Sequence, residues 1–437
     1  MKRLFSLTLI LVLALSMMSS MASADTVDWE IEEGAKLTAW VRGTFTPEAD
    51  EAWKSHWEQV AADAGIKLEV VIFNGQDQVE MYNAALESGN IPDIMFMGSA
   101  ICSGFLANDL FLPLNDMVEK IEQSNNVHFF DSMLDYWTIN GNIYTVPSVA
   151  ESRVLIYRTD ILAEAGYDHA PETWEELREI AKAVTDPEKG IYGFGEPFGS
   201  CFDCITNQSL SMLWAWDACE IDAEGKVAIN SQNTLDLINF LYEMYAVDDS
   251  IPPSAIGWDD SGNNTAYLSG QCAMVINPPT VITALKTGGL DDILANTALA
   301  VLPAGPNGTR TAQSGTQNMA IYSGTKYPNA AQYILASYYD YEFYNEWMLN
   351  VSPVWAPVFE EMANEPFWQE GMNAVNIETA AIGHQAGWPL EVVDLNYSAW
   401  QANFEWSTMM QEVLVNGVDP QTALDNLEAK MISYFGE

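Results

Sequence analysis

The chain has 437 residues, about half of them apolar, and sets 61 acidic against 17 basic side chains for a formal charge of −44. Such a surface repels phosphate backbones and anionic lipid heads, which argues against nucleic acid and membrane surfaces as partners and leaves solubility as its plain role. With 15 Trp, 18 Tyr and 17 Phe the chain can bury a large core, which excludes a disordered protein.

Lys2 and Arg3 open a short positive region, and an apolar run follows from Leu4 to Leu15. Met21-Ala22-Ser23-Ala24 then supplies a small-x-small cleavage pattern before Asp25. This pattern predicts a secretory signal peptide over residues 1–24. The run is too short for a membrane span, and no later stretch approaches the roughly 18 apolar residues a span needs. No cysteine sits at the junction, so a lipid anchor has no acceptor there. The expectation is a soluble exported protein, periplasmic or extracellular.

The mature part alternates strand-like and helix-like segments. Leu37–Val41 reads as a strand, and a helix follows from about Pro47 to Ala64, with Ala49, Ala52, Trp53, Trp57, Val60 and Ala61 at helical spacing. Gly65 stops it, Ile66–Phe73 is a second strand, and a helix over Gln78–Glu87 leads through Ile91-Pro92-Asp93 into the buried-type strand Ile94–Met97. This β-α-β-α-β order predicts an open, mostly parallel sheet with helices on both faces and ligands at the carboxyl ends of its strands. A second α/β unit starts near Val149, with a strand at Val154–Tyr157 and a helix capped by Thr173, whose capping-box partner is Glu176. Ala273–Ile276 and Ala298–Leu302 are further strands. The C-terminal third reads as helical over Asn329–Tyr339, about Tyr397–Asn416 and Pro420–Tyr434.

The cysteines are Cys102, Cys201, Cys204, Cys219 and Cys272. An odd count in an oxidising compartment leaves at least one thiol over. Cys201-Phe202-Asp203-Cys204 has redox-motif spacing but sits in a Gly/Ser-flanked stretch. A structural bridge among Cys201, Cys204 and Cys219 is expected in preference to thiol chemistry. Neither zinc, which lacks partner ligands here, nor any cofactor is called for.

Several stretches resemble the extracellular solute-binding proteins of family 1, the group of maltose-binding protein and other sugar-capturing partners of ABC importers. Leu86-Glu87-Ser88-Gly89-Asn90-Ile91-Pro92-Asp93-Ile94 is similar to that family's "sG..PDi" element, and Leu110-Phe111-Leu112-Pro113-Leu114 to its "L.pL" step. The longest match runs from Asn142 to Leu177. Leu268–Met274, Val301–Pro306 and Asn416–Leu424 complete the order. The resemblance implies an α/β, two-lobed, periplasmic-binding-protein-like fold with hinge crossings and a helical C-terminal part. It puts crossings near Val149–Arg153, Thr297–Leu302 and Tyr341. Lobe one would combine 25–149 and 302–341, and lobe two 150–301 and 342–437. The implied function is capture of a sugar or oligosaccharide by hinge closure, for ABC transporter permease subunits, by a chain that works as a monomer.

A sugar offers apolar C–H faces and a belt of hydroxyls, which rings and carboxylate, amide or hydroxyl groups recognise. Glu151, at the first crossing, matches a ligand-binding glutamate of the maltose-type pattern; the plainer role is a salt bridge to Arg153. Glu196 and Phe198 match a carboxylate and an aromatic of lobe two. Thr44 and Phe45 follow the first strand, in a loop that contacts ligand in the family but lacks the maltose-type charged pair here. Met97 and Ala100 stand where that pattern has a stacking Trp and an Asp, which argues for a ligand other than maltose. Trp258 and Asp259 offer a ring beside an acceptor, with core packing as the alternative. Ser314 and Gln317 follow the return crossing, and Trp388 lies in a loop rather than on a periodic helix face.

No nucleophile elbow, HExxH or Walker-A sequence is present, and an enzyme is not expected. The competing readings are a binding protein for a non-sugar solute such as a peptide or polyamine, and, further off, a secreted glycosidase with paired carboxylates.

Overall fold

The computed structural model describes residues 29–436 apart from Phe45 and residues 74–76. The signal peptide expected over 1–24, and the candidate Phe45, lie outside the described residues.

Two sheets form the frame. The first contains β1 (Lys36–Arg42), β2 (Lys67–Phe73), β3 (Ile94–Met97), β4 (Val146–Ser152) and a late strand, Ser314–Ile321. The second contains β5 (Val154–Arg158), β6 (Tyr192–Gly195), β7 (Cys272–Asn277) and β8 (Thr297–Ala300). With the late strand as β9, the orders are β2-β1-β3-β9-β4 and β8-β5-β7-β6. β1 pairs in parallel with β2 and β3, as the sequence order predicts. β9 instead runs antiparallel to both β3 and β4. It arrives from the other sheet rather than through a crossover helix, so nothing obliges it to be parallel.

The helix Pro47–Asp63 buries Ala49, Trp53, Trp57 and Ala61, a stripe with a four-residue repeat, while Ala52 faces solvent. Trp53 stacks on Tyr338 at 4.4 Å between ring centres and meets Trp347 edge-on at 5.3 Å. In the second lobe the Thr173 hydroxyl accepts the Glu176 N–H at 3.1 Å, as expected of the cap. Glu176 Oε2 reaches back to the amide of Glu172 rather than that of Thr173. The Thr173 segment also bridges to Ala304, so the cap doubles as a seam.

Each sheet has its own core. Leu37, Ile94, Val146 and Ile321 centre the first, and Leu155, Phe194, Ile276 and Leu302 the second. The chain first passes between the sheets through Arg153 alone, which separates β4 from β5. The return passage is later than expected: β8 still belongs to the second sheet, Leu302 and Ala312 lie in the second core, and the chain joins the first sheet only at Ser314. The expected crossing at Tyr341 is also displaced. Tyr344, Trp347, Phe359 and Trp368 pack into the first core, because the Tyr341–Val351 helix sets its apolar face against Trp53 and Tyr338. The Gly371–Ile382 helix then lies against strands of both sheets.

The C-terminal helical stretch expected over Tyr397–Asn416 is two helices, Leu395–Gln401 and Glu405–Leu414. Phe404 between them adopts φ 54°, which the α-helix does not accept. Cys201 is not in a loose stretch, as its flanks had implied. It caps a continuous helical run, Phe202–Ala215, whose middle turns are π-helical.

Candidate ligand-binding cleft

The ends of both sheets converge on the Arg153 crossing. β4 finishes at Glu151 and Ser152, β3 at Met97 and Gly98, β6 at Gly195 and Glu196, and β7 at Asn277. Because β9 runs against β3 and β4, its first residues, Ser314 to Gln317, stand at the same end. Two α/β units thus turn the carboxyl ends of their strands toward one seam, the position where open α/β sheets hold ligands.

On the first-lobe side, Gln317 Nε2 donates to Glu151 Oε2 at 2.8 Å. The pairing follows from register: Gly315 sits opposite Glu151 and Gln317 opposite Val149, which makes Gln317 and Glu151 diagonal neighbours on one face. Gln317 is 7% exposed, and its buried Oε1 has no hydrogen-bond partner among the described residues. Gly98 lies beside it; a Cβ there would stand 4.0 Å from that oxygen and 3.5 Å from Gln78 Nε2. The Gly98 amide donates to Gln78 Oε1 at 3.2 Å. Ser314 is tied to Ser152 by a 3.1 Å hydroxyl pair, and its amide donates to the carbonyl of His384.

On the second-lobe side, Arg153 is held by Asp203, with Nη1 to Oδ1 at 2.6 Å, and reaches Asn277 Oδ1 at 3.4 Å. Asn263 donates to the other Asp203 oxygen, and the Asp203 amide donates to Asp260. Burial raises the Asp203 carboxyl above its usual range, against the pull of Arg153. Burial also opposes the charge on Arg153, and Asp203, Glu151 and Asp260 more than restore it. Arg153 Nε is buried with no hydrogen-bond partner among the described residues.

A ring wall closes the side next to the return crossing. Trp388 stacks on His384 at 4.4 Å and 17°, and meets Trp214 edge-on at 5.8 Å. Trp388 is half-buried, and burial lowers the His384 pKa so that this stack is uncharged near neutrality.

The structure therefore brings Glu151, Gln317, Ser314 and Trp388 toward one seam and separates other candidates from it. Met97 is fully buried beneath the seam, packed with Tyr82 and Phe105, so the half-buried Gly98 and not Met97 is the accessible step. Phe198 turns into the second core, edge-on to Tyr245 at 5.5 Å, with its amide held by Ala255. Its ring offers no face to a ligand. Glu196 is fully buried and holds Gln208 and Asn207 at 3.1 and 3.3 Å. Burial pushes its carboxyl well above the usual carboxylate range, so it organises the helix behind the seam.

Trp258 is half-buried against both halves of the second core, its indole against Gly262. Asp259 is exposed and spends Oδ1 on the amide and hydroxyl of Ser261, forming a turn. Thr44 is half-buried, with its amide on Asp50 at 2.6 Å and its hydroxyl on the Thr46 carbonyl. Arg153, Asp203, Asn277 and His384 were missed from sequence. Adjacency to Glu151 was the one available signal, for Arg153. A cavity of about 430 Å³ between Trp174, Arg178, Trp216 and Phe240 lies in the second lobe, closed on one side by Ala304 to Pro306 of the return span. Its Arg178 is already bound by Asp248 and Glu243, and its lining includes none of the cleft side chains described above.

The bacterial extracellular solute-binding protein family matches residues 43–339, from the end of β1 through β9 and its following helix. The chain belongs to that family. Relatives of this solute-binding protein include a probable ABC transporter-binding protein of Deinococcus radiodurans, 22% identical over 61% of this chain and 63% of that one. An arabinooligosaccharide-binding protein of Bacillus subtilis is 22% identical over 77% of this chain and 76% of its own. Among solved structures, maltose-bound MalE3 of T. maritima superposes with a TM-score of 0.75 at 20% identity, covering 91% of this chain and 99% of that one. A sugar transporter protein of Arthrobacter chlorophenolicus with bound laminaribiose gives 0.77 at 19% identity, with 92% and 99% covered. These structures share the two-lobed fold. Among the described residues, no helix is long and apolar enough to cross a membrane.

Proposed function

We propose that this solute-binding protein captures a sugar or short oligosaccharide between its lobes and delivers it to the permease subunits of an ABC importer. The observation that carries the reading is the Glu151–Gln317 pair at the crossing, with a buried Gln317 oxygen that has no partner among the described residues. A carboxylate and an amide side by side accept and donate to neighbouring hydroxyls, and the Trp388–His384 stack supplies a ring face for C–H groups. The names of the relatives, with oligosaccharide or maltose in them, point to the same ligand class.

A ligand touching both lobes favours the closed form through contacts that the open form lacks. The chain works as an exported monomer, binds no nucleic acid, and returns its ligand chemically unchanged. A thermal-shift screen of mono- and oligosaccharides, polyamines and short peptides tests this, because a ligand of the folded form raises the melting temperature. Stabilisation by a carbohydrate, recovered intact, is the expected result. Stabilisation by polyamines or peptides alone would replace the sugar with that class.

A further inference from the structure

We propose that Cys201 and Cys204 form a dithiol that closes to a disulfide in the exported protein and so fixes Asp203 against Arg153. Cys201 is the cap of the helical run beginning at Phe202, and its Sγ accepts the Cys204 amide at 3.4 Å. Cys201 is extended at φ −145° and ψ 160°, which turns its sulfur back over the first turn toward Cys204, the arrangement a disulfide between them needs. Cys102 lies in the first lobe and Cys272 under the Gly262–Leu268 helix, while Cys219, beside Glu220, packs on the same core as the pair. Asp203 sits between the paired cysteines. It holds Arg153 at the single-residue crossing, and its amide is bound by Asp260.

The reaction is thiol–disulfide exchange with an oxidant bearing a protein disulfide. One Sγ–Sγ bond forms in this chain, one S–S bond breaks in the oxidant, and both hydrogens end on the two thiols of the oxidant. Cys201 and Cys204 are both buried in the folded chain, so exchange takes place before the helix packs. Burial pushes the Cys201 thiol up to about 12, and Cys204 well above the usual thiol range. High-pKa thiols attack slowly and leave slowly. The pair is therefore a lasting clamp and not a shuttle of electrons. Phe202, 39% exposed and edge-on to Phe404 at 5.1 Å, covers the turn once it is made.

Thiol counting tests the bond. The full chain, exported and purified without reductant, should on unfolding show two thiols fewer than the five that reduction releases. The tryptic fragment between Lys189 and Lys226 carries Cys201, Cys204 and Cys219, so Cys219→Ser locates the bridge. The bridge should survive in that variant. Five free thiols in the exported protein, or loss of the bridge with Cys219→Ser, would overturn the proposal. Amide exchange of the wild-type chain tests the clamp: reduction should speed exchange over 203–212 by about tenfold. Equal rates would show a bond without a clamping role. The proposal rests on export alone, and neither readout needs a bound solute, so its failure is separate from failure of the carbohydrate reading.

Discussion

Arg153 Nη1 and Asp203 Oδ1 meet at 2.6 Å with both side chains more than nine-tenths buried, at the one residue that separates the first sheet from the second. Breaking a buried ion pair by removing one partner leaves the other charge without compensation, at a cost of about 3–5 kcal/mol. Asp203→Ala should lower unfolding stability by that order in urea. Asp203→Asn, which keeps an acceptor for Arg153, should cost less. Equal losses would mean that charge is not what matters at this crossing.

Glu151 and Gln317 are expected to govern affinity rather than folding. Glu151→Gln should weaken binding of the carbohydrate found by screening at least tenfold, about 1.4 kcal/mol, with the melting temperature of the free protein shifted little. Titration calorimetry gives the affinity and a thermal scan the stability. Full affinity in the variant would remove Glu151 from the site.

Glu220 makes stability fall with pH. It is fully buried and accepts from Tyr397 at 2.8 Å and from Gln401; burial pushes its carboxyl up to about 7. The unfolded chain loses this proton near the ordinary value of 4.5, while the folded chain keeps it until about 7. The folded state therefore binds more protons in that window, and stability drops as pH rises through it, by up to about 3 kcal/mol, then levels off. Urea midpoints at pH 5 and pH 8 should differ in the wild type, and the Glu220→Gln variant should lose this contribution.

Gly305 packs on the carbonyl of Ala215 so closely that an added Cβ would stand 1.7 Å from that oxygen. Gly305→Ala should cost about 2 kcal/mol or more by forcing the return segment away from the Phe202–Ala215 helical run. A wild-type midpoint in denaturant would show that the segment moves freely.

Much of the frame was legible because it is local. The stripe of Ala49, Trp53 and Trp57 and the Thr173 cap each lie within one element and obey its period. The position of Glu151 at the first crossing was legible through the long match around it. The strand-end candidates were not, because which face a strand-end side chain takes is decided by what packs there: Phe198 is drawn inward by Tyr245, and Met97 by Tyr82 and Phe105. Asp203 was invisible as a partner of Arg153, since fifty residues separate them and the intervening chain gives no periodic signal. The segment from Tyr341 to Trp368 was misassigned for a related reason, because its apolar face fits either lobe until Trp53 and Tyr338 are in place.

The two strand passages between the sheets meet at one place, where the Arg153 amide donates to the Gln313 carbonyl beside the Ser152–Ser314 hydroxyl pair. One is a lone residue, and the other is the span 301–313, itself held to the second lobe at Leu302, Ala304 and Ala312. Both passages therefore sit at one edge, like the sewn spine of a book whose covers the proposed closure would move. Spectroscopic labels near Ser152 would then barely change separation on loading, while labels at the far lips of the two halves would travel furthest.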